Sequence, residues 1–511
     1  MTTRTAAAMP RRPGSAHQVT PHSDDGPATT TSLSGHRGTY HLRMPTTGAI
    51  DVPTLSRLVE DGTIDTVVVA FTDLQGRLMG KRVTGRFFVD HVLGPDGDSA
   101  TGEGIEACDY LLTVDVDMNV VEGYRFANWE AGYGDFRGRP DLSTLRITPW
   151  LEATAIVLAD VLDNSDDSPV AVSPRQVLQR QIERAAERGL QVMVGSELEF
   201  FAYDAGYDEL ARSDYRDLHD RTSSWYNLDY HVLQTTKDEP LIRALRNGML
   251  AAGLPVEFSK GEAAPGQHEL NLRYADALTM ADNHTIYKNG AKEIAHLQDK
   301  AITFMAKPKI DEPGSSCHIH SSIWSLDGEP LCPSDDPVDS YGMSPRFRAW
   351  MGGLLAHSSE LSLCFAPFVN SYKRFQPGSW APTGVVWSPD NRTCGLRLVG
   401  HGAGMRVESR IPGADCNPYI AFAAIIAAGL DGIDRGLDCG DPFTGNAYTA
   451  DVERIPWNIV EAIDAFERST FAHEAFGDDV HFHLLHTAKQ EWIASNNVVT
   501  EWELRRNFER I

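Results

Sequence analysis

The sequence predicts an α+β protein in two parts, a small N-terminal domain and a larger one behind it. Three observations lead there. A strand-like run, Thr66 to Phe71, turns through Asp73-Leu74-Gln75-Gly76-Arg77 into a second run, Leu78 to Val83, as a hairpin does. Four later segments alternate polar and apolar residues with the two-residue period of a strand. An amphipathic helical pattern opens at Pro174, runs to Glu187 and is closed by Gly189. At 511 residues the chain can hold two or three domains, or one large catalytic domain with appendages.

Taken in order, residues 1–48 are rich in Ser, Thr, Pro, Gly and His and carry no hydrophobic period. They cannot bury enough apolar surface to offset ordering, so a disordered tail is expected. Order begins near Val52-Pro53 with a helical pattern through Leu55 and Leu58, and the hairpin follows. A loop-rich stretch reaches Thr148-Pro149-Trp150, which sets the expected boundary between a first domain, 49–150, and a second, 151–511. An apolar strand over Ala155 to Asp160 and a strand over Gln191 to Phe201 flank the Pro174 helix.

The net charge of −25 argues against nucleic acid, whose affinity rests on Lys and Arg neutralising phosphates. Seven scattered cysteines without a Cys-x-x-Cys pair fit a reducing compartment, with neither a disulfide scaffold nor a zinc site. No apolar run reaches the roughly 18–20 residues of a membrane span. The strongest, Ala421 to Leu430, reads as a buried helix. The N-terminal arginines Arg4, Arg11 and Arg12 have no apolar core behind them, so no secretory signal is expected. The expectation is a cytoplasmic protein with no membrane partner.

The four alternating segments carry the chemistry. Glu197 and Glu199 share one face while Leu198 and Phe200 take the other. Glu269, Asn271 and Arg273 alternate with Leu270, Leu272 and Tyr274. His318 and His320 share a face, as do Arg406, Glu408 and Arg410. Any one of these fits the wet face of a half-buried sheet. Together they hold Glu, His and Arg, the residues that bind divalent cations and anionic oxygens. Several glutamates in one place are costly unless a cation neutralises them. The octet Glu262-Ala-Ala-Pro-Gly-Gln-His-Glu269 adds two carboxylates flanking a turn, able to meet at one ion.

At these residues the chain resembles the glutamine synthetase family. The resemblance runs from about Thr66 to about Ile433 and rests on five stretches. They are Glu197-Leu-Glu199-Phe-Phe; the Glu262–Glu269 octet; Gly314-Ser-Ser-Cys-His318-Ile-His320; Asn370-Ser-Tyr-Lys-Arg374 with Asn391-Arg392-Thr to Arg397; and Arg406-Val-Glu408-Ser-Arg410 with Asn417-Pro-Tyr. The resemblance implies a small β-grasp-like N-terminal domain and a large catalytic domain built on a curved antiparallel sheet flanked by helices. It implies two or three divalent cations, Mg2+ or Mn2+, with one held by Glu197, Glu262 and Glu269 and another by Glu199, His318 and Glu408. It places ATP near Glu257, His320, Ser322, Arg397 and Arg406, and L-glutamate against Gly314, Arg374 and Arg410. Arg392 would stabilise the transferring phosphoryl group. The family's assembly, two stacked six-membered rings, implies a homo-oligomeric dodecamer with active sites between subunits.

The chain departs from the family where the amine enters. After the Asn-Ser-Tyr-Lys-Arg motif the family carries Pro-Gly-x-Glu-Ala-Pro, and its Glu takes the ammonium proton. Here Trp380 stands in the place of that Glu, and an indole accepts no proton. Pro313 replaces the asparagine that usually precedes Gly314. The family's ammonium-site Asp falls on Asp117, with Glu122 nearby as a second candidate acceptor. An aromatic wall suits an amine with a carbon body and attracts alkylammonium. The sequence therefore looks closest to the bacterial glutamate–amine ligases, the γ-glutamylpolyamine and γ-glutamylethanolamide synthetases, working through a γ-glutamyl phosphate. The alternatives are an ammonia-using glutamine synthetase, a non-catalytic structural or regulatory relative, and a phosphagen-kinase-like enzyme, which has no need of the paired-Glu loop. Asn446-Ala447-Tyr448 loosely resembles the family's adenylylated segment but reads as a surface tyrosine.

Overall fold

The computed structural model describes residues 48–511 except 217, 219–221, 223, 224, 228, 337–339 and 377. All of the expected tail but Gly48 lies outside the described residues. The described chain is organised by two sheets flanked by helices.

The first sheet has the order β2-β1-β5-β4-β3, with β1 Thr66–Thr72, β2 Leu78–Thr84, β3 Ile105–Cys108, β4 Asp135–Ile147 and β5 Thr154–Asp163. The expected hairpin is there, β1 and β2 pairing from Thr66↔Thr84 to Thr72↔Leu78. The helix Val52–Glu60 is capped by Asp51, which accepts the Thr54 N–H at 2.9 Å, and buries Leu55 and Leu58 against Val67, Val69 and Val157. The expected boundary at residue 150 falls inside this sheet. β1 needs a partner on its second edge, and Thr154–Leu158 supplies it in parallel register, so the sheet runs on to Asp163.

The second sheet follows the path β12-β13-β14-β11-β6-β8-β7. Its strands are β6 Leu190–Tyr203, β7 Val256–Gly261, β8 Gln267–Leu272, β9 Ala275–Asp276, β10 Ala301–Thr303, β11 Cys317–Ser325, β12 Trp387–Pro389, β13 Leu396–Val399 and β14 Arg406–Ser409. All pairings are antiparallel except β12 beside β13. The long β6 pairs with β8, β9, β10 and β11. Its apolar face places Leu198 and Phe200 in the main core. The apolar run Ala421 to Leu430 forms part of a buried helix, Pro418–Arg435.

Polar contacts tie the first sheet to the helices. Arg175, 3% exposed, meets Asp141 of β4 at 2.5 Å, Asp160 of β5 at 2.5 Å and Asp282 of the helix Ala277–His296 at 2.9 Å. Asn417 caps the helix Pro418–Arg435 with its Oδ1, and its Nδ2 donates to the carbonyls of Asp73 and Leu74, each at 3.1 Å. The hairpin turn can press this close because Gly76, at φ +76°, has no side chain to strike Asn417. All seven cysteines are unpaired, and no helix among the described residues is long and apolar enough to cross a membrane.

Candidate functional site

Strand register decides which acids meet. Glu199 lies opposite Glu269 across β6 and β8, while Glu197 lies opposite His318 across β6 and β11. Glu408 of β14 faces His320 and Arg397. Ligand atoms of Glu199, Glu262 and Glu269 all fall within 4.8 Å of one another, as do those of Glu197, His320 and Glu408. His318 joins the second group, its Nδ1 3.2 Å from Glu197 and 3.6 Å from Glu408. The expected partition, Glu197 with Glu262 and Glu269 and Glu199 with His318 and Glu408, is thus exchanged. Alternation puts both glutamates on one face, but register alone assigns each to a side.

The electrostatics follow from the partition. Burial, and then repulsion from Glu262, push the Glu199 carboxyl well above the usual carboxylate range. Burial and the charges of Glu197 and Glu262 do the same to Glu269. On the other side burial opposes ionisation of Glu197, but hydrogen bonds from His318 and His320 outweigh it and hold its carboxyl far below the usual range. Burial, with the Arg410 charge, lowers His318 to about 4.

The donor set fits divalent cations. Three crowded carboxylates are the oxygen ligands of a hard ion, and such crowding is unfavourable without one. In the second group His320 is committed at both ring nitrogens, Nε2 to Glu197 at 2.9 Å and Nδ1 to Arg406 at 3.1 Å. His318 keeps a buried Nε2 without a partner, the nitrogen a metal would take.

The residues expected to receive glutamate lie beside the same carboxylates. Arg374, 1% exposed, donates to Ser316 Oγ at 3.1 Å and to the Ile411 carbonyl, and Arg410 donates to Glu408 at 2.6 Å. Each keeps a buried Nε without an acceptor, a donor suited to a carboxylate ligand. A Cβ on Gly314 would stand 2.3 Å from the Ala306 carbonyl and 2.8 Å from Arg374 Cγ, so the backbone passes where only glycine fits. Gln267 Nε2 donates to both Glu199 Oε2 and the Gly314 carbonyl, each at 3.1 Å.

A cavity of about 340 Å³ opens beside Glu197 and gathers Glu257, His320, Ser322 and Arg406 from the expected nucleotide set. Arg397 stands outside its lining, 3.0 Å from Glu408. Phe258, Tyr274 and Trp324 also line the cavity, and the sequence reading missed all three. Tyr274 was expected on the apolar face, but β8 ends at Leu272 and the alternation ends with it. Arg392 is exposed on the turn between β12 and β13.

Trp380 is 56% exposed, with its backbone at φ +64°. Asp117 is not brought to it. Asp117 lines a separate cavity of about 650 Å³ with Arg77, Lys288, Lys292 and Glu491. Glu122 is exposed, and its carbonyl accepts from His486 at 2.8 Å. The loop carrying both is pinned on that side by Arg77, which donates to the Val116 carbonyl at 2.6 Å, and by Tyr124 with Thr487 at 2.8 Å. Tyr448 is no surface tyrosine: its hydroxyl is buried.

The family described as glutamine synthetase, catalytic domain, matches residues 171–507. The chain belongs to the glutamine synthetase family. It is an enzyme of the ligase class. A γ-glutamylethanolamide synthetase of Streptomyces coelicolor is 49% identical over 465 residues, 91% of this chain and 97% of that protein. A glutamate–isopropylamine ligase of a Pseudomonas species is 34% identical over 89% of this chain and 97% of its own length. Among solved structures, a GmaS/ADP complex superposes with a TM-score of 0.75 at 28% identity, covering 89% of this chain and 99% of that one.

Proposed function

We propose that this family member is an ATP-dependent ligase that joins the γ-carboxyl of L-glutamate to a small alkylamine, ethanolamine-like or a polyamine, through a γ-glutamyl phosphate. The observation that carries the amine reading is Trp380, an open indole where the family has a proton-accepting glutamate. The two relatives named for amides of ethanolamine and isopropylamine support it.

Glu199, Glu262 and Glu269 would hold one divalent cation, and Glu197, His318 and Glu408 another, Mg2+ or Mn2+ in each case. Bound there, such ions supply charge neutralisation to the transferring phosphoryl group and bring the anionic reactants together. Glutamate is gripped through the Gly314 main chain, Arg374 and Arg410. ATP lies along Glu257, Ser322 and Arg406, with the aromatic rings of Phe258, Tyr274 and Trp324 beside its base. The γ-carboxylate oxygen attacks the γ-phosphorus, the bond to the β-phosphate oxygen breaks, and ADP leaves. Arg392, free on its turn, follows the charge of the moving phosphoryl group. The amine nitrogen then attacks the acyl carbon and the carbon–oxygen bond to phosphate breaks, releasing phosphate. The displaced amine proton needs an acceptor, and Asp117, which lines a cavity that holds none of the clustered acids, suits delivery to a neighbouring subunit should the chain assemble as a ringed homo-oligomer.

The test is phosphate release with ATP and glutamate against a panel of ammonium, ethanolamine, isopropylamine, putrescine and spermine. An alkylamine with the highest kcat/KM is the expected result. Ammonium as the best substrate would replace this reading with that of an ordinary glutamine synthetase.

A further inference from the structure

Lys260 has no role in the ligand assignments above, yet it sits among them. It lies directly opposite Glu269 in the β7–β8 register. Its ammonium is 2.5 Å from Glu262 and 3.3 Å from Asp229, and 4.0 Å from the centre of the Tyr230 ring. The side chain is mostly buried, 16% exposed. A solvated surface lysine gains little from an ion pair. This one is drawn inward, onto a carboxylate that belongs to a group of three.

We propose that Lys260 is a tethered counter-cation of the Glu199–Glu262–Glu269 cluster. It holds Glu262 while the cluster lacks a divalent ion and passes to Asp229 when one binds. The inference rests on the metal reading of that cluster. Three carboxylates within 4.8 Å repel one another, and a compact ammonium on one of them offsets part of that repulsion. An incoming divalent ion competes with Lys260 for the Glu262 carboxylate. Two cations a few ångströms apart in a shielded site repel strongly, so Lys260 has to give way. Asp229 and the face of Tyr230 are already within reach and accept the ammonium with little movement. The lysine then makes metal uptake an exchange of one cation for another. It sets the affinity of one site and keeps the empty cluster folded.

The experiment uses the full chain and Mn2+ alone, without nucleotide. Free Mn2+ is counted by electron paramagnetic resonance, and Tm is measured with and without the ion. Lys260→Met is expected to bind Mn2+ about tenfold more tightly at one site, because a competing charge is gone. Its metal-free Tm falls, and Mn2+ restores it. Lys260→Arg, which keeps the charge, stays near the wild type. Asp229→Asn leaves the lysine nowhere to go and weakens Mn2+ binding at the same site. An ordinary structural ion pair gives another pattern: Lys260→Met loses Tm equally with and without Mn2+ and binds it no more tightly. That result, or tighter binding by Asp229→Asn, overturns the proposal. Asp229→Asn decides the matter if Lys260→Met fails to fold. A wild-type chain that binds no Mn2+ overturns the metal reading itself and this inference with it.

Discussion

Glu199 and Glu269 face one another in register across β6 and β8, both buried, each held by an amide: Glu199 by Gln267 at 3.1 Å and Glu269 by Asn271 at 2.7 Å. Neutral amides orient these carboxylates without cancelling their charge. Glu269→Gln should therefore give a more stable metal-free protein that gains less Tm from Mn2+, since only the Glu197–His318–Glu408 group remains to bind it. ATP-dependent phosphate release should drop at least about a hundredfold, since a catalytic metal contributes several kcal/mol of charge stabilisation. Activity near that of the wild type would remove the cluster from the reaction.

Trp380 holds a left-handed backbone that costs a bulky residue roughly 1–2 kcal/mol. Trp380→Gly should relieve part of that strain, raising Tm slightly, while kcat/KM for alkylamines falls. Trp380→Glu restores the family's carboxylate and should move the ratio of kcat/KM, ammonium over ethanolamine, upward by at least about tenfold. An unchanged ratio in both variants would reduce the indole to packing.

Arg175 carries the charge of three surrounding aspartates. Tyr419 also donates to Asp282, at 2.6 Å. Arg175→Met removes the cation and leaves Asp282 buried with its charge unbalanced, a loss of about 3–5 kcal/mol. Urea unfolding should show the extrapolated unfolding free energy falling by that amount. A loss under about 1 kcal/mol would mean the network relaxes around the gap.

His483 is buried, donates from Nε2 to the Leu112 carbonyl at 2.9 Å and packs on Tyr124. Burial lowers its pKa to about 4. The unfolded chain titrates near 6.5, so the folded state prefers the neutral ring. This stability is complete above about pH 6.5 and is lost as pH falls toward 4. Tm of the wild type relative to His483→Gln should narrow over that window. A gap constant from pH 7 to 5 would contradict the lowered pKa.

How much of this was legible in the sequence follows from the kind of information each residue needs. The shared faces of Glu197 with Glu199 and His318 with His320 follow from strand period alone. Their division between two clusters does not, because a strand's register against its neighbours is set by distant pairings. Tyr274 was misplaced for a related reason: alternation holds only while the strand lasts, and β8 stops two residues earlier. β5 reads as an apolar strand, but nothing local says that it completes the first sheet. Asp117 is legible by motif, whereas its distance from Trp380 depends on how its loop is pinned by Arg77. Lys260 looked like any charged residue until the fold set it on Glu262.

One amide group links events that are usually treated apart. Gln267 uses the same nitrogen to hold a carboxylate of the acidic cluster and the backbone that would receive the amino acid. Displacement of Glu199 would then be felt at Gly314, and a ligand seated at Gly314 would be felt at Glu199. Linkage makes that influence mutual: whatever factor ion loading applies to amino-acid affinity, the amino acid returns to the ion. The coupling between ion and amino acid becomes a measurable equilibrium quantity, carried by a single side chain.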